Sequence, residues 1–183
     1  LIYGRLDFTS ALVGILACLL IIFLVLPFHE WAHGFVAYKL GDKTAKYSGR
    51  LSLNPLTHID PMGAVCLLLF NFGWAKPVPV DPRYFKNPKA GMALVALAGP
   101  VANLLAATVG GLLLNAVVVF GGIQIITGGF LFYVYLFLQY YFTINVFLAV
   151  FNLIPIPPLD GSKSYLCFCR TSGYTIFTAV SYT

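Results

Sequence analysis

Two histidines four residues apart, with a glutamate between them, hold the reactive groups of this chain: His29-Glu30-Trp31-Ala32-His33. On a helix, positions four apart share one face, so both imidazoles face a common point. That spacing suits one zinc ion, with Glu30 in reach of a water on the metal. Zinc lowers the pKa of such a water toward neutrality. Glu30 would take its proton and later deliver it to a leaving amine. A five-residue pattern also arises by chance, and two interfacial histidines at a helix end are the plain alternative. The surroundings weigh against that alternative. The chain has 3 histidines and two are in the motif. Of its 6 acidic residues, Glu30 is set deepest in an apolar segment. Ionisable groups at membrane depth are costly and usually functional.

A catalytic zinc takes three protein ligands and keeps one position open. The remaining histidine is His58, so a carboxylate is expected, and Asp160 is the best placed. It follows a proline-broken stretch, Asn152-Leu153-Ile154-Pro155-Ile156-Pro157-Pro158-Leu159-Asp160-Gly161. Gly161 permits tight backbone geometry there. On residues alone, a helix-capping aspartate remains an equal alternative. Asn103, in an otherwise apolar segment, is a candidate for oxyanion stabilisation or substrate holding, against an interhelical hydrogen bond.

The elements that must position these groups are membrane elements. The 183 residues are 60% hydrophobic and 9% charged, with a mean hydropathy of +0.87. Soluble domains are nearer a quarter charged. Residues 90–159 contain no Asp, Glu, Lys or Arg, far beyond the roughly 20 residues that one membrane helix needs. Segment one, 11–40, leads directly into the motif with no small-residue cleavage site, so it reads as a permanent helix rather than a leader. Residues 46–53 alternate enough to suggest a short strand. Residues 62–72 are too short to cross and suit a half-buried segment. Residues 76–80, with Pro77 and Pro79, must be extended. Residues 90–120, with small residues Ala102, Ala106, Gly110 and Gly111 for close helix approach, form the second span. Residues 130–151 form the third.

Net charge is +5. The basic residues cluster between apolar runs, which argues for membrane orientation and against a nucleic-acid partner. Lys39, Lys43, Lys46 and Arg50 follow segment one, and Lys76, Arg83, Lys86 and Lys89 precede the second span. If 62–72 does not cross, both loops lie on the cytosolic side. The second span then leaves, the third returns, and Asp160 arrives at the depth of His29. Cys18, Cys66, Cys167 and Cys169 read as small apolar filler.

With these residues in place, the chain resembles the site-2 proteases, intramembrane zinc metalloproteases marked by H-E-x-x-H and a later L-D-G. Both are present, as His29 to His33 and Leu159-Asp160-Gly161. Asn152 and Pro155 match the stretch before the L-D-G, and Ala98-Gly99-Pro100 with Asn103 resembles the middle-helix motif. Residues 53–61 and 73–79 look like the compact bacterial and archaeal branch without a PDZ domain. The resemblance covers about 8–163. It implies one zinc per chain held by His29, His33 and Asp160, and peptide hydrolysis near the cytosolic face of a bacterial or archaeal membrane. It also implies substrates that are typically single-pass membrane proteins, unwound and added as a strand beside an extended edge. Lys76, Pro77, Val78, Pro79 and Val80, or residues 50–53, would supply that edge.

The expected fold is therefore an all-α polytopic membrane protein. It has three core transmembrane helices, a short half-buried segment, small extended or β pieces and a partial C-terminal helix. Residues 1–163 form the metalloprotease core and 164–183 a separate C-terminal segment. Two rival functions remain: a non-catalytic membrane-helix binding protein of the same fold, and a metal transporter. Binding alone needs no Glu30, and transport needs a polar path that the two uncharged spans lack.

Overall fold

The computed structural model describes residues 8–70, 76–122, 129–156 and 159–162. Its elements in chain order are α1 (Phe8–Lys39), α2 (Thr44–Tyr47), α3 (Pro55–His58), α4 (Pro61–Phe70), a 3-10 turn (Pro82–Tyr84), α5 (Pro88–Gly121) and α6 (Phe130–Leu153). Two of them, α5 with 34 residues and α6 with 24, are long and apolar enough to cross a membrane. α1 has 32 residues and carries the histidines and Glu30 in its C-terminal third.

Local chemistry sets the ends. Pro88 occupies the first turn of α5, where its missing N–H costs nothing, and the Asn87 side chain accepts from Ala90 N at 3.2 Å. α1 stops before Gly41, which adopts φ 111°, the left-handed region that glycine tolerates. α1 continues through Pro27 and α5 through Pro100. Both prolines are fully buried.

α5 packs against both α1 and α6, and α1 also touches α6. Small residues set the spacing. A Cβ at Gly110 would lie 2.5 Å from Tyr141 Cδ1, and one at Gly111 would lie 3.3 Å from the Phe142 ring. The aromatic side chains of α6 therefore lie where α5 has none, as expected of helices that associate in lipid. Val25 packs against Phe137, Tyr141, Ile144 and Leu148 of α6. A second cluster joins Ala37, Phe85 and Val95 to Val80 and Met92.

The described residues contain no strand, which corrects the expected β pieces. Residues 46–53 form the end of α2, a turn at Gly49 (φ 69°) and an irregular stretch. The amides of Arg50 and Leu51 both donate back to Ala45 O, at 2.9 and 3.1 Å, so they close a turn instead of joining a ladder. Residues 76–80 carry no regular structure, and Pro77 and Pro79 have no N–H for a ladder. The short segment expected at 62–72 is α4. Cys66 on it is a free, half-buried thiol. The C-terminal segment 164–183, with Cys167 and Cys169, lies outside the described residues, as do residues 71–75.

Candidate metal centre

Three elements meet at the motif. α1 brings in His29 and His33, one turn apart, 5% and 7% exposed. α5 forms the wall behind them. The segment after α6 supplies Asp160. α6 ends at Leu153 because Ile154 turns extended before Pro155. The chain then doubles back, with Ile156 N donating to Ile154 O at 2.8 Å and Leu159 N to Ile156 O at 2.9 Å. A Cβ at Gly161 would collide with Leu153 O and come within 2.6 Å of Ile154 O. Glycine is thus needed there for close approach to the end of α6, and Asp160 is set against α1 as a result.

His29 Nε2 and His33 Nε2 lie 3.1 Å apart. Asp160 Oδ2 is 3.1 Å from the first and 3.0 Å from the second. His33 Nδ1 faces Val95 O at 2.7 Å. A carbonyl only accepts, so Nδ1 donates, and the Nε2 lone pair points at the other two atoms. A carbonyl accepting from the far ring nitrogen orients a metal-binding imidazole in this way. His29 Nδ1 is buried with no hydrogen-bond partner among the described residues. Three electron-rich atoms converging on one point repel each other unless a proton or a metal cation lies between them. Tetrahedral nitrogen and oxygen ligands with bonds of about 2.0–2.2 Å stand about 3.3 Å apart, close to the separations here. His29, His33 and Asp160 form a group able to hold a metal ion, and the donor set fits a small divalent cation.

Gly99 of α5 floors this centre. A Cβ there would collide with His29 Cε1 and lie 2.5 Å from both Nε2 atoms. One turn further along α5, Asn103 is fully buried, and neither its amide nitrogen nor its oxygen has a hydrogen-bond partner among the described residues. Glu30 is half-buried, and its Oε2 accepts the Val78 amide at 3.1 Å. The structure therefore brings Glu30 and the segment of Lys76, Pro77, Val78, Pro79 and Val80 together. His58 is buried elsewhere: its Nε2 donates to Ser52 O at 2.6 Å, and its own carbonyl accepts Lys76 N at 2.8 Å.

Three contributors were not singled out from the sequence: the Val95 carbonyl, the contact of Gly99 with the histidines, and the Val78 amide. Val95, Gly99 and Asn103 recur every fourth residue on α5. That spacing, ending at a buried asparagine, was the available signal.

Residues 116–176 match the profile of Peptidase family M50. The chain is similar to the "Putative zinc metalloprotease YwhC" of Bacillus subtilis, 45% identical over 146 residues, covering 79% of this chain and 66% of that protein. It is 33% identical over 141 residues to the "Putative zinc metalloprotease Rip2" of Mycolicibacterium smegmatis, covering 73% of this chain and 49% of that one. It is also 33% identical over 141 residues to the "Putative zinc metalloprotease MJ0611" of Methanocaldococcus jannaschii, at 74% and 62%. The matched region thus spans between about half and two thirds of these relatives. No solved structure matches the chain.

Proposed function

Because the chain belongs to peptidase family M50, we propose that it is a zinc-dependent endopeptidase that hydrolyses peptide bonds within or near the membrane spans of other proteins. The observation that carries this reading is the convergence of His29 Nε2, His33 Nε2 and Asp160 Oδ2 at 3.0–3.1 Å, one residue from Glu30. The names of the relatives support zinc as the metal. His29, His33 and Asp160 hold one zinc per chain. When bound, zinc supplies the Lewis acidity that brings the pKa of a water toward neutrality and polarises a carbonyl.

The chain's own groups do the rest. Glu30 takes the proton of the attacking water and returns it to the leaving nitrogen. Its Oε2 is engaged by Val78, so Oε1 is the oxygen that handles the proton. The Val95 carbonyl keeps His33 in the tautomer that binds metal. Asn103, buried without hydrogen-bond partners among the described residues, donates its amide to the developing oxyanion or the substrate backbone. The extended Lys76, Pro77, Val78, Pro79 and Val80 receive the substrate as an added strand through their main-chain carbonyls, since the prolines carry no N–H and the Lys76 and Val78 amides are already bonded. A helical peptide bond is shielded by its own hydrogen bonds, so the substrate must unwind first.

α1 is the third span beside α5 and α6, and α4 stays half-buried. The basic loops support a centre near the cytosolic face of a bacterial or archaeal membrane, and the substrates in this reading are single-pass proteins of that bilayer. The test is cleavage of a quenched single-span peptide panel in detergent. Activity lost on chelation, restored by zinc and absent in Glu30→Gln supports the reading. Cleavage that survives chelation contradicts it.

A further inference from the structure

The segment from Lys76 to Asp81 is fastened at three points. Lys76 N donates to His58 O at 2.8 Å. Val78 N donates to Glu30 Oε2 at 3.1 Å. Asp81 N donates to Asp42 Oδ2 at 2.7 Å. Both outer anchors are buried and hydrogen-bonded. His58 is 1% exposed and held by Ser52 O, and Asp42 is 0% exposed with its other oxygen accepting Thr44 N at 2.8 Å. Between them, Pro77 and Pro79 carry no N–H, and each restricts the residue before it to an extended backbone. Val78 therefore has a fixed φ on one side and a proline on the other, and its amide is the one donor of residues 77–79.

The Val78 side chain fixes the depth. A Cβ at Gly34, one turn after Glu30 on α1, would lie 3.2 Å from Val78 Cγ1, 3.4 Å from Ala45 Cβ and 3.4 Å from Leu51 Cδ1. The bare face of α1 at Gly34 thus lets the strap lie close enough for its amide to reach Glu30. A glutamate has three rotatable side-chain bonds, and general-base catalysis needs its carboxylate within hydrogen-bond reach of one proton.

We propose that the Val78 main-chain amide is a positioning group for Glu30: the strap from Lys76 to Asp81, clamped at both ends, holds one carboxylate oxygen so that the other faces the attacking water. This rests on the reading of Glu30 as the base. It assigns the two prolines a role as well: they leave one donor at the carboxylate and keep the strap straight.

The test uses the full chain in detergent and has two arms. Residues 77–79 contain one exchangeable backbone amide, so hydrogen exchange there reads Val78 alone. In Glu30→Ala, exchange at Val78 is expected to speed up by about tenfold or more, as loss of a bond to a charged acceptor implies, with Lys76 and Asp81 unchanged. The second arm compares Val78→Pro, which deletes the donor, with Val78→Ala, which keeps it. On the peptide panel, Val78→Pro is expected to lower kcat by on the order of 10²-fold, the cost of a misplaced group, with KM and zinc content retained, and Val78→Ala by far less. Unchanged exchange in Glu30→Ala, or equal kcat in the two Val78 variants, overturns the proposal. A wild type with neither zinc nor cleavage overturns the proposed function instead, and the exchange arm, which reads the contact alone, tells the two failures apart.

Discussion

The two halves of α5 are built from similar apolar residues and do different work. In the first half, Val95 is 4% exposed and Asn103 0%, and Gly91, Gly99 and Pro100 are buried with them. In the second half, Leu105 is 60% exposed, Leu112 66% and Phe120 89%. What separates them is what their small, inward-facing residues meet: the imidazoles and Phe85 in the first half, the α6 aromatics in the second. The first half is small on the face toward α1 because two imidazoles and the Phe85 ring occupy that space. Both halves present large side chains outward, Leu94 (52%) and Val101 (50%) in the first as well as those of the second, and the second half keeps Gly110 and Gly111 for the aromatics of α6. One helix thus walls a polar centre at one end and packs on the aromatics of α6 at the other, and it is long and apolar enough to cross a membrane.

The sharpest way to break this contrast is to add a side chain at the centre. Gly99→Val drives a branched group into both Nε2 atoms. It is expected to lower zinc affinity and cleavage by on the order of 10²-fold, since displacements near 1 Å cost that much, as read by zinc titration and peptide cleavage. Gly91→Ala tests the same half away from the centre. Its Cβ meets the Phe85 ring, with Cγ at 2.7 Å, and overpacking of this kind costs about 1–3 kcal/mol. Thermal melting in detergent should register that loss while zinc content holds. Leu112→Ala probes the other half, where an exposed truncation should change stability by no more than about 0.5 kcal/mol.

The smallest effect is expected off both halves. The Arg83 guanidinium bonds the Asp81 carboxylate and holds it below the usual carboxylate range. A depressed folded pKa gives stability that is present above the unfolded value and lost as pH falls through the folded one. Arg83 is exposed and Asp81 partly so, so Arg83→Ala should lower melting only slightly at neutral pH, where the contribution is present, and the difference from wild type should vanish in acid.

Much of this arrangement was legible in the sequence. The motif spacing, the two uncharged spans and the glycine after Asp160 pointed to the helices and to the three converging groups, because helical period and membrane length are local rules. The strand expected at 46–53 was not found, because alternation does not reveal that Arg50 and Leu51 would turn back on Ala45 O. Nor does sequence spacing show that Gly99 lies under His29 and His33, or that the Val78 amide meets Glu30, 48 residues away in the chain. Those contacts depend on how α5 and the strap pack on α1, which no local rule fixes.

The central claim is that His29, His33 and Asp160 hold a zinc on which Glu30 acts. Its most direct test is zinc stoichiometry and peptide cleavage measured on the same preparations of wild type, Glu30→Gln and Asp160→Ala. One zinc per chain is expected in wild type and Glu30→Gln, cleavage in wild type alone, and weakened zinc in Asp160→Ala. Undiminished zinc in Asp160→Ala, or cleavage by Glu30→Gln, would contradict it.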